Sequence, residues 1–92
     1  MHMEIIWDPR KAESNFKKHG VRFSDAEIVL WDPQSITIED TNASGEQRLV
    51  TLGCDALGRI LTIVFTYQDE EVRLISARKA SNHERRVYEK GV

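Results

Sequence analysis

The sequence predicts a small α+β domain: an antiparallel sheet of four to five strands, two helices near the N-terminus and one at the C-terminus. Two observations carry the helices. "DPRKAESNFKKHG" (8–20) has both a helix start and a helix stop in its local chemistry, and "SNHE" (81–84) is a second start. A third observation carries the sheet. Apolar runs rich in β-branched residues recur at 35–40, 47–54, 59–68 and 72–79, and the breaks at 55–58 and 69–71 are short enough for hairpins. Ninety-two residues suit one domain spanning 1–92, near the lower limit for a self-sufficient core.

Each element has its own reason. "MEIIW" (3–7) is an apolar run that reads as a first strand. Asp8 is a favoured N-cap, Pro9 fits the first helical position, and Gly20 supplies a left-handed stop. Lys17, Lys18 and His19 fall in the last turn, where cations complement the helix dipole. Ala12 and Phe16 make a thin apolar stripe, so most of this helix should be wet.

"SDAE" (24–27) has the pattern of a capping box and predicts a second helix opening at Ser24, with Ala26, Val29 and Leu30 facing inward. "SITIED" (35–40) alternates, placing Ile36 and Ile38 on one half-buried face. "TNASGE" (41–46) is turn chemistry. The run 59–68 is apolar on both faces, which suits the centre of the sheet. In "VRLISAR", strict alternation would put Val72, Leu74, Ser76 and Arg78 on one face, and Arg73, Ile75 and Ala77 on the other. "SNHE" then caps a helix through Tyr88.

Composition narrows the function. The single Cys54 cannot form an intramolecular disulfide and reads as a small core residue; there is no CxxC and no Cys/His ligand set. Neither a span of about 20 apolar residues nor a signal-peptide hydrophobic region occurs, so a cytoplasmic protein is expected. GxxxxGK[ST], GxGxxG and GxSxG are all missing. The net charge of −2 conceals segregation. Residues 23–47 carry six acidic and no basic groups, whereas 73–92 carry six basic and two acidic ones and 1–22 five basic and three acidic. Basic charge at both ends would form one phosphate-binding face if the first and last helices lie on the same side of the sheet.

Residues with chemistry gather at those ends. Arg78 closes its strand and Arg48 opens an earlier one; whether they form a joint site, or Arg78 pairs with an acidic residue of the middle segment, is left open by spacing. His19 suits either proton transfer or a helix-terminal cation. By its residues alone the last helix reads as a solvated helix docking by Val87 and Tyr88, with Glu84 as its cap. Arg, Lys, His, Tyr and Glu together can cleave RNA without a metal, by positioning the 2′-OH, stabilising the phosphorane and protonating the leaving oxygen.

"WDPRKAESNFKKHGVRFSDA" (7–26) and "LISARKASNHERRVYE" (74–89) together resemble the BrnT family of type II toxins, with "GEQRLVTLG" (45–53) matching more loosely. The resemblance implies a RelE-like fold and a cofactor-free ribonuclease that halts translation. It further implies a BrnA-like ribbon-helix-helix antitoxin as partner, with operator DNA bound only through that antitoxin. Lys11, Asn15, Lys18, His19, Gly20 and Phe23 stand at motif positions of the first block, Arg48 in the central one, and Ser76, Ala77, Arg78, Ala80, Glu84, Arg85 and Tyr88 in the last. Carried over in this way, Arg48, Arg78 and His19 are expected to be catalytic, and Lys18, Lys79, Arg85 and Tyr88 to contact RNA. Asn15, Gly20, Phe23 and Ala77 are compatible with a role in the fold alone. Two other classes fit the residues: a non-catalytic co-repressor that binds the antitoxin, and a plain nucleic-acid-binding domain.

Overall fold

The computed structural model describes residues 4–40 and 47–91, so the turn expected at 41–46 lies outside the described residues. The elements run β1 (Glu4–Ile6), α1 (Pro9–His19), α2 (Phe23–Val29), β2 (Ile36–Asp40), β3 (Arg48–Cys54), β4 (Ile60–Gln68), β5 (Glu71–Lys79) and α3 (Asn82–Lys90). They build one five-stranded sheet in the order β1-β5-β4-β3-β2, with β4 at its centre. The sheet is mixed rather than wholly antiparallel. β1 pairs with β5 in parallel because α1 and α2 and three strands separate them in the chain.

One face of the sheet is closed by α1 and α2. Leu61, Ile63, Phe65, Val72, Leu74 and Ala77 meet Val21, Phe23, Ala26 and Val29 there, all almost fully buried. Asn15 pins α1 to this layer. β1 stops pairing at Arg73, which leaves the outer edge of β5 open beyond it. Asn15 fills the gap: its Nδ2 donates to the carbonyls of Ala77 (2.8 Å) and Val21 (3.0 Å), and its Oδ1 accepts from Ala77 N–H (3.0 Å). Gly53 is required where α2 crosses β3, since a Cβ there would stand 2.8 Å from Val29 Cγ1.

The caps of α1 and α3 form as expected. Asp8 accepts from Arg10 N–H, Gly20 is left-handed (φ 71°), and Ser81 and Glu84 satisfy each other's backbone amides. The expected opening of α2 is corrected. Arg22 is the N-cap, without a side-chain cap bond, and Ser24 lies inside the helix. Burial of Val21 and Phe23 sets the start of the helix and outweighs the capping pattern. Ile38 is 58% exposed rather than half-buried, because β2 is an edge strand whose outward face nothing covers among the described residues.

β5 holds the main departure from simple alternation. Val64 pairs with Ser76 but Phe65 pairs with Leu74, so Ile75 is an extra residue in a β-bulge. Leu74 and Ala77 therefore both enter the core, and Arg73 and Arg78, expected on opposite faces, point to the same one.

Candidate nucleic-acid interface

Among the described residues, the second sheet face is covered only at one end, by α3. Successive cross-strand rows on it are Ile36, Leu52, Thr62 and Arg78, then Ile38, Val50, Val64 and Ser76. Arg48 follows one residue beyond Leu49 on β3, and Arg73 lies opposite Thr66 on β5. Three guanidinium groups thus share this face around a floor made mostly of β-branched side chains. Arg48 and Arg78 lie two strands apart, on the order of 10 Å across the sheet and about 13 Å along it, so they flank the floor without touching.

Arg78 is the most constrained of the three. Its Nη1 and Nη2 donate to Glu84 Oε1 (2.8 Å) and Oε2 (3.0 Å), a bidentate pair that fixes the guanidinium plane. Glu84 also accepts from Thr62 Oγ1 (3.0 Å) and the Ser81 amide (2.8 Å). The Arg78 bonds, aided by Ser81 and Thr62 and opposed by burial, bring its pKa down to about 2. A carboxylate held so firmly ionised is a poor proton acceptor at neutral pH. Glu84 therefore positions Arg78. The pairing with the acidic middle segment considered above does not form; the partner comes from α3.

Arg48 is half-buried, and its Nε is buried without a hydrogen-bond partner. Tyr88 is half-buried, and its hydroxyl donates to Asp32 Oδ2 at 2.6 Å, so its polar end is committed within the protein. That bond, with burial, pushes the phenol up to about 12.

The basic ends do not form one face. His19 and Lys18 end α1, which packs on the opposite layer of the sheet from Arg48 and Arg78, whereas α3 lies on their side. His83, exposed in the first turn of α3, is the imidazole in the helix that carries Glu84. Lys79 and Arg85 are exposed and line a cavity of about 330 Å³ with Gly58, Arg59, Ile60 and Ala80. The sequence does not place Arg73 on this face, because the bulge that turns it has no local signature. No group of His, Cys, Asp or Glu able to hold a metal occurs among the described residues. No described helix is long and apolar enough to cross a membrane.

Comparison with known proteins agrees with this architecture. The family model described as ribonuclease toxin, BrnT, of type II toxin-antitoxin system matches residues 7–84. The crystal structure of the Brucella abortus ribonuclease toxin BrnT is similar at 32% identity and a TM-score of 0.67, covering 87% of this chain and 99% of that one. No curated protein matches the chain. With both matches spanning most of its length, the chain belongs to the BrnT family of ribonuclease toxins of type II toxin–antitoxin systems.

Proposed function

We propose that the chain is a metal-independent endoribonuclease that cleaves RNA on the uncovered sheet face and so inhibits translation in the cytoplasm. The observation that carries this is the sharing of one open face by Arg48, Arg73 and Arg78, with Arg78 held rigid by Glu84. In this reading the substrate 2′-oxygen attacks phosphorus and the P–O5′ bond breaks, giving a 2′,3′-cyclic phosphate and a 5′-hydroxyl. Arg78 and Arg48 stabilise the charge that gathers on the non-bridging oxygens. One proton leaves the 2′-OH and one reaches the 5′-oxygen. His19, expected to be catalytic from its family position, lies on the opposite layer and does not reach phosphorus held on this face. The proposed proton carrier is therefore the exposed imidazole of His83 in α3, the helix on this side of the sheet, with His19 as the comparison.

Lys18, Lys79, Arg85 and Tyr88 are proposed RNA contacts, with Tyr88 contributing its ring rather than its committed hydroxyl. The proposed partner is a ribbon-helix-helix antitoxin of the BrnA type, through which alone the complex reaches operator DNA.

Induced expression of the chain alone should arrest growth and fragment RNA within minutes. Arg48→Glu and Arg78→Glu should each lower the cleavage rate by a factor on the order of 10² to 10³. His19→Gln and His83→Gln, assayed on the same RNA, identify the imidazole that moves the proton. Intact RNA and normal growth with the wild-type chain would falsify the nuclease and leave the co-repressor.

A further inference from the structure

We propose that the cavity bounded by Arg59, Lys79 and Arg85 is a subsite for a backbone phosphate of the RNA, separate from the sheet face where cleavage is placed. The proposal rests on the nuclease reading and adds a second anchoring point to it. The cavity, of about 330 Å³, lies where β4 begins and β5 ends, and Ala80 N–H bonds Ile60 C=O across its floor at 2.9 Å. Lys79 pairs with Leu61 of the core face and Arg78 with Thr62 of the other. RNA gripped by Arg78 therefore reaches the cavity by passing around the end of β5, where Arg85 of α3 stands.

Its three cations are held differently. Arg59 is built in: Nε donates to Asp55 Oδ2 (2.8 Å), and Nη2 lies 2.8 Å from Asp55 Oδ2 and 3.2 Å from Asp25 Oδ2. Asp55 is buried and is itself fixed by the amides of Leu57 and Arg59. The two carboxylates thus brace Arg59 from behind. Lys79 and Arg85 are exposed and make no ion pair with any described residue. Glu84, the nearby carboxylate of α3, is consumed by Arg78, Thr62 and Ser81 and cannot quench them.

Asp55 and Asp25 more than offset the charge of Arg59, so the attraction for an anion comes from the unpaired Lys79 and Arg85. These two leave the pocket net positive and fit a tetrahedral phosphate oxyanion beside the oriented guanidinium. A polyanion satisfies them better than a lone ion, because neighbouring phosphates hold it in place while counterions are released.

The test uses an all-2′-O-methyl oligoribonucleotide, which lacks the attacking hydroxyl and stays intact, titrated by fluorescence anisotropy at several salt concentrations. Lys79→Gln with Arg85→Gln should weaken binding about tenfold and flatten the log–log salt slope by about 1.4, the value for two lost phosphate contacts on a single strand. Arg10→Gln with Lys90→Gln, the charge-matched control, should stay within about twofold. Melting curves establish that both variants fold. Equal binding by wild type and the Lys79/Arg85 variant overturns the subsite while leaving the nuclease intact. Failure of the wild type to bind the oligonucleotide removes both. A melting shift produced by inorganic phosphate over chloride, lost in the variant while RNA affinity is unchanged, assigns the cavity to free phosphate and overturns the RNA subsite.

Discussion

Tyr88 donates its hydroxyl to Asp32 across 2.6 Å, joining the last helix to the loop that follows α2. Asp32 also receives the Cys54 and Gln34 amides, so one carboxylate ties together α3, the end of β3 and that loop. Burial alone would raise the Asp32 pKa, but the three hydrogen bonds together lower it. Removing the hydroxyl with Tyr88→Phe leaves that charge short of a donor and should cost about 1–3 kcal/mol, read from urea unfolding midpoints. The Tyr88 contribution is present below pH 10 and fades as pH rises toward about 12, since the native phenol resists ionisation. Unchanged stability in Tyr88→Phe would show that the bond is idle.

Glu84 gives the opposite dependence. Its native pKa of about 2 lies below the ordinary 4.5, so its stabilising effect is present above pH 4.5 and is lost as pH falls toward 2. Glu84→Gln should flatten the acid limb of the melting temperature between those values. It should also lower RNA cleavage mainly through kcat, because Arg78 loses its fixed plane. A variant with an unaltered acid limb would mean that the pair contributes nothing to the fold.

Asn15→Leu removes the side chain that satisfies both backbone groups of Ala77 on its open edge. Three buried backbone groups lose this partner, the N–H and carbonyl of Ala77 and the carbonyl of Val21. The loss should cost at least about 3 kcal/mol, measured by chemical denaturation, and hydrogen exchange at Ala77 should rise.

Arg73→Gln tests the bulge. If Arg73 shares the working face with Arg78, cleavage should fall about tenfold with no loss of stability, since Arg73 is exposed. A deletion of Ile75 removes the extra residue and leaves Leu74 and Ala77 two positions apart, both still on the core face. The domain should therefore keep its fold with Arg73 and Arg78 on one face; unfolding of this variant would mean that the bulge itself is required.

What the sequence by itself determined is local. The Asp8 cap, the Gly20 stop and the Ser81–Glu84 box are satisfied within a few residues, and the strands 48–54, 60–68 and 71–79 announce themselves by apolar runs between hairpin turns. The start of α2 escaped such reading because the core takes Phe23, and burial outweighs a cap. Only the tertiary structure decided which cations meet. The Ile75 bulge turns Arg73 toward Arg78, α1 carries His19 to the opposite layer, and Glu84 claims Arg78. Each of these depends on strand register or layer, which long-range packing sets and neighbouring residues do not encode.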